Sequence, residues 1–215
     1  MALPPRMVRF RQFLLGVTAL AHGPFAITVA QVARQALGVS GGTAAAIATI
    51  ATGASLGLYW RRMDEVLDDR PLTTAHRQLL SLPYFVHWFA CFVGTVLTIL
   101  ALLTQAILSI FRNIPAVLSL EAIRNIHLVA LVIGVWGVYP GRLRFSVRER
   151  EVILKGLPKA FDGYRIAQLS DIHIGGLTPK SQGLRWTRAA IEAGADLVVV
   201  TGDSVTNGTL FHQDI

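Results

Sequence analysis

Four apolar runs long enough to cross a membrane fill most of the first 140 residues, and they leave little choice of fold there. A bilayer core offers no partners for free N–H and C=O groups, so an apolar run of about 20 residues is read as a spanning helix. The first run, FLLGVTALAHGPFAITVAQVA, extends from Phe13 to Ala33. A signal peptide is the competing reading, but its apolar core would be shorter and further spans follow. The second, Gly41 to Trp60, has no ionisable group apart from its closing Tyr59-Trp60 pair, an interfacial signature. Its Gly53 and Gly57 stand four apart among small residues, which predicts a flat face for close helix contact inside the chain. The third, Pro83 to Leu108, is the strongest apolar run. The fourth, Ile126 to Tyr139, is short for a crossing unless its helix begins near Ser119, which would bring Glu121 and Arg124 to the interface.

Composition agrees with this class: 53% of the 215 residues are hydrophobic, 15% are charged, and the mean hydropathy is +0.51. The net charge of +7 does not point to nucleic acid, because the arginines gather at the ends of apolar runs. Arg6, Arg9 and Arg11 precede the first span, and Arg61, Arg62, Arg70 and Arg77 follow the second. Arg142, Arg144, Arg148 and Arg150 follow the fourth, whereas the other two connections hold Arg34, then Arg112 and Arg124. The positive-inside rule then predicts both termini in the cytoplasm. The single cysteine, Cys91, rules out a disulfide within one chain and reads as a small buried apolar residue.

Intramembrane histidines raise a functional hypothesis by default, here haem ligation or proton handling by His22, His87 and His127. Within the spans drawn above, His22 falls at mid-membrane, His87 near the cytoplasmic end and His127 near the outer end. A two-histidine haem needs ligands at matching depth, so packing roles are expected for all three.

Past Pro140-Gly141 the pattern changes, and all three lysines lie in this part. Two domains follow: a transmembrane helical domain over 1–140 and a polar one over 141–215. FSVREREVIL, from Phe145, alternates with the two-residue period of a half-wet strand. Tyr164 to Leu169 reads as a buried strand that ends in a loop carrying Asp171 and His173. Pro179 to Ala193 reads as a helix with Leu184, Thr187, Ala190 and Ile191 on its buried side, Trp186 partly exposed, and Gly194 suited to the cap. ADLVVVTGD supplies a second buried strand. A strand–helix–strand unit crosses over right-handed and makes the strands parallel, which places Asp171, His173 and Asp203 at one sheet edge. Carboxylate oxygen and imidazole nitrogen suit zinc, iron or manganese.

SDIHIGG followed by TGDSVTNG resembles the calcineurin-like metallophosphoesterases, in particular their membrane-anchored bacterial members, over roughly residues 141 to 215. The expected fold is thus the four-span helical membrane domain read from the apolar runs, followed, as the resemblance implies, by the first strands and βαβ unit of an α/β phosphoesterase domain. It implies a multi-pass protein of the bacterial inner membrane that hydrolyses phosphate mono- or diesters, possibly lipid-linked ones. Two metal ions, manganese, zinc or iron, would be its cofactors. Asp171 and His173 would hold the first ion, Asp203 would bridge both, and Gly202 would keep the turn open beside them. The centre would generate the attacking hydroxide and clamp the phosphoryl oxygens.

Two departures stand out. Thr206 occupies a position where the family often has an acidic residue, and the family's later asparagine–histidine motif and two further histidine motifs do not appear. A truncated phosphoesterase domain with an incomplete catalytic set is therefore expected. A catalytically inactive membrane module and a haem or proton-handling protein are the alternatives.

Overall fold

The computed structural model describes residues 5–67, 71–112, 117–141 and 144–206. Arg70, Arg142, the Asn207-Gly208 end of the second motif and His212 lie outside them. The chain divides into two compact units, one of residues 1–61 and 82–142, the other of 62–81 and 143–215.

The first unit is helical. Helices α1 (Pro5–Ala21) and α2 (Gly23–Leu37) make the first apolar run, α3 (Gly41–Leu67) the second, α5 (Leu82–Arg112) the third and α6 (Leu120–Trp136) the fourth. A short α4 (Thr74–His76) and a π-helical segment, Arg77–Ser81, lead into α5, and a π-helical turn, Gly137–Gly141, extends α6. Four helical stretches, Val8–Leu37, Gly41–Glu65, Thr74–Phe111 and Leu120–Gly141, are long and apolar enough to cross a membrane, the mark of a multi-pass membrane protein. Exposed side chains such as Ile50, Leu103, Ile110 and Val132 give these helices an apolar outer surface suited to lipid.

The first run is not one continuous helix. Pro24 has no N–H and its ring clashes with the carbonyl four residues back, so the ladder breaks at His22-Gly23. His22 N bonds the Ala19 carbonyl, and the His22 ring takes up the Thr18 carbonyl at 2.7 Å. The fourth run begins where its N-cap allows: the Ser119 side chain accepts from Ala122 N, so the helix includes Glu121 and Arg124.

Helix α5 packs most extensively along α6, and glycines set how close they come. A Cβ on Gly134 would stand 3.1 Å from Phe89 Cδ1 and 3.3 Å from the Val86 carbonyl oxygen. A Cβ on Gly94 would stand 3.2 Å from His127 Nδ1. Gly53 and Gly57, expected to provide such a contact, do not, because a Cβ on either would meet nothing within 4 Å. The small residues there instead leave an open groove of about 560 Å³ between α2 and α3, lined by Ala26, Ala30, Ala48 and Thr52 among others.

In the second unit, Arg62 pairs with Glu65, which also meets His76 Nε2 at 2.7 Å and accepts from Ser81 Oγ at 2.6 Å. This buried cluster ties the end of α3 to the segment that enters α5. Further on, β1 (Ile166–Ser170) and β2 (Leu197–Thr201) pair in parallel, Ile166 with Leu197 through Ser170 with Thr201, with α7 (Lys180–Glu192) between them in sequence. The strand expected over 145–154 does not form. Its alternating residues are exposed throughout and have no ladder partner, without which a strand cannot satisfy its backbone. The face of α7 differs in part from expectation: Ala190 is buried and Trp186 half-buried as expected, but Leu184, Thr187 and Ile191 point outward and Gln182 is buried instead. Gly183 decides this: a Cβ there would lie 2.8 Å from Ile174 Cδ1, so the glycine side of the helix closes over Ile174.

Candidate functional site

The polar unit presents its chemistry where β1 and β2 end. The chain continues in parallel beyond both strands: Asp171 N donates to the Thr201 carbonyl at 3.0 Å, His173 N to Asp203 at 3.1 Å and Ile174 N to Ser204 at 2.9 Å. An isolated bridge joins Ile174 to Val205, and Ile174, only 1% exposed, pins the loop. Thr206 Oγ1 donates to the His173 carbonyl at 2.9 Å, and Thr206 N to the Ile174 carbonyl at 3.0 Å. At the position where the resemblance favours an acidic residue, this chain therefore has a hydroxyl that fastens the histidine loop.

Asp171 and His173 both adopt left-handed backbone, with φ of 52° and 47°. Such conformations cost about 1–3 kcal/mol per non-glycine residue and persist where the surroundings enforce them, often at functional sites. Gly202, with φ of 69°, has no side chain for a direct reason: a Cβ would sit 2.8 Å from Asp171 Cγ. The Asp171 carboxylate accepts from Ser170 Oγ and, at 3.4 Å, from Asp203 N. The Ser170 bond first, then the Asp203 amide and nearby His173, hold Asp171 below the ordinary aspartate pKa, so it is ionised at neutral pH.

Asp171, His173 and Asp203 thus share one sheet edge, with Asp171 and Asp203 exposed and His173 half-buried. An ionised carboxylate, an imidazole and a second carboxylate suit a hard or borderline cation. They do not close on one point, however. Among the described residues, the set of three or more His, Cys, Asp or Glu whose ligand atoms all lie within 4.8 Å of one another is a different one: His22, His87 and Cys91.

That second cluster corrects the expectation that the membrane histidines lie at separate depths. His22 Nε2 and His87 Nε2 are 3.3 Å apart, and Ser55 Oγ stands 2.9 Å from the first and 2.8 Å from the second. Cys91 Sγ lies 3.7 Å from His87 Nε2, and the Phe25 ring packs against His22, His87 and His127 with centroids 4.5–5.9 Å away. The helices run past the apolar boundaries. The third helical run starts at Thr74, not Pro83, so His87 is about 20 Å into it. Cys91 is fully buried, as expected, yet it faces histidine as well as apolar groups. One sequence signal was available: His87 and Cys91 stand four apart, on one face of a helix.

No family model, curated protein or solved structure matches the chain.

Proposed function

We propose that this chain belongs to a membrane-anchored, metal-dependent phosphoesterase type, with Asp171, His173 and Asp203 as metal ligands and a phosphate mono- or diester, possibly lipid-linked, as substrate. The observation that carries the reading is the shared edge: two parallel strands end side by side, two ligand candidates sit in strained left-handed backbone, and Gly202 makes room for the Asp171 carboxylate.

On this reading Asp171 and His173 would hold one ion, and Asp203 would serve that ion and a second. Manganese, zinc or iron held there supplies Lewis acidity and lowers the pKa of water. Ser170 and the Asp203 amide keep the Asp171 carboxylate oriented and ionised, and Thr206 holds the His173 loop in register. The arginine distribution orients the bundle with both termini in the cytoplasm and the phosphoesterase portion on that side.

Three protein ligands are about half of what a two-metal hydrolase needs. The 215-residue chain is therefore expected to hydrolyse a chromogenic phosphodiester with manganese or zinc little above background. A form extended through the family's asparagine–histidine and later histidine motifs is expected to turn over, and Asp203→Ala to abolish that turnover. An inactive extended form would support the membrane-module alternative, and activity surviving Asp203→Ala would remove the bridging role.

A further inference from the structure

We propose that His22, His87 and Cys91 form a second metal site, inside the helical bundle, that binds a zinc-class divalent ion in tetrahedral geometry. The first support is distance. Metal–nitrogen bonds of about 2.0–2.1 Å and a metal–sulfur bond of about 2.3 Å place tetrahedral ligands about 3.3 Å apart for two nitrogens and about 3.6 Å apart for nitrogen and sulfur. The His22 and His87 Nε2 atoms are 3.3 Å apart, and Cys91 Sγ is 3.7 Å from His87 Nε2.

The second support is independent of spacing and comes from proton accounting. His22 Nδ1 lies 2.7 Å from the Thr18 carbonyl oxygen, which can only accept, so Nδ1 carries the proton. In the neutral ring Nε2 is then a bare lone pair, and it points at His87 Nε2 and Ser55 Oγ. A ring N–H given to a backbone carbonyl, with the other nitrogen unprotonated, is the usual arrangement of a metal-bound histidine; without an ion, Ser55 Oγ at 2.9 Å occupies that lone pair. The proline break supplies that carbonyl, because His22 N has shifted to Ala19 and left Thr18 to the ring.

His87 and Cys91 share one face of α5, His22 comes from the break between α1 and α2, and Ser55 Oγ from α3 marks the fourth position, open to that hydroxyl or to a water. His22 and Cys91 are no more than 1% exposed, and His87 is half-buried. Binding a divalent ion releases the Cys91 thiol proton to solvent, and the thiolate offsets one of the two positive charges brought out of water.

The test uses the whole chain, purified in detergent, stripped with a chelator and titrated with cobalt(II). One cobalt should bind per bundle with a near-ultraviolet thiolate-to-cobalt charge-transfer band, and zinc(II) should displace it. Cys91 is the sole cysteine, so that band reports this site and not the Asp171 edge. Cys91→Ser should remove the band and His22→Ala should weaken binding at least about tenfold, while His127→Ala should leave the band in place. The wild-type titration decides even if a variant fails to fold: cobalt bound without the band, or no cobalt bound, overturns the proposal. A band that survives both His22→Ala and His87→Ala overturns it as well.

Discussion

Replacing Gly134 with alanine should loosen the bundle, while the same change at Gly53 should not. Both glycines lie inside long helices, so both substitutions gain the same helix propensity, about 0.8–1 kcal/mol by the soluble-helix scale. The new methyl groups meet different surroundings. At position 134 a Cβ would stand 3.1 Å from Phe89 Cδ1 and 3.3 Å from the Val86 carbonyl oxygen, so α5 and α6 must part by a few tenths of an ångström. At position 53 it would meet nothing within 4 Å and would project towards the open groove beside α2. Overpacking of this kind costs about 1–3 kcal/mol. Because the propensity gain is common to both, the difference between the variants isolates that cost. Gly53→Ala should be neutral or up to about 1 kcal/mol more stable than wild type, and Gly134→Ala about 1–3 kcal/mol less stable than Gly53→Ala. Unfolding in mixed micelles of increasing SDS fraction, followed by circular dichroism, gives both values. Stabilities equal within about 0.5 kcal/mol would refute the assignment of the close seam to α5 and α6.

Two further outcomes follow from the polar contacts and a third from the arginine distribution. Glu65→Ala leaves Arg62 buried without its partner and should lower stability by about 3–5 kcal/mol in the same assay; a loss under about 1 kcal/mol would show that the cluster is not closed in solution. Thr206→Val removes the bond to the His173 carbonyl and should weaken manganese binding by up to about tenfold, and unchanged affinity would deny Thr206 its hold on the loop. A reporter fused after Arg150 should be active only if it functions in the cytoplasm, and periplasmic activity there would reverse the topology.

The sequence disclosed most where a single physical demand dominates. Hydrocarbon tolerates few backbone arrangements, so all four spans were visible, and Ser119 marked the true start of the fourth. Residue patterns bounded by glycine and aspartate likewise located β1, β2 and α7 to within about two residues. Both strands were expected to be buried, yet they hold only exposed and half-buried positions, because a two-stranded sheet has too few layers to cover its faces. Faces and partners were harder, because they depend on what lies opposite. Leu184, Thr187 and Ile191 form a good helical stripe, yet α7 turns its Gly183 side inward because Ile174 needs the space. The alternation from Phe145 describes a strand only if another strand lies beside it. Gly53 and Gly57 look like a contact surface, while Gly94 and Gly134, far apart in sequence, make one. The histidine cluster escaped notice for a related reason: depth was measured from apolar boundaries, and the helices run past them. At the sheet edge, the motifs single out Asp171, His173 and Asp203 as candidates, but the left-handed backbone of the first two and the Thr206 hydrogen bond become visible only in three dimensions.

The central claim, that Asp171, His173 and Asp203 are metal ligands, is tested most directly by manganese(II) binding to the 215-residue chain in a Cys91→Ser background, which removes the thiolate of the bundle site. Electron paramagnetic resonance of free manganese gives the bound fraction at each concentration. The account predicts weak saturable binding that falls at least about tenfold in Asp203→Ala and in Asp171→Ala. Manganese affinity unchanged by both substitutions would contradict it.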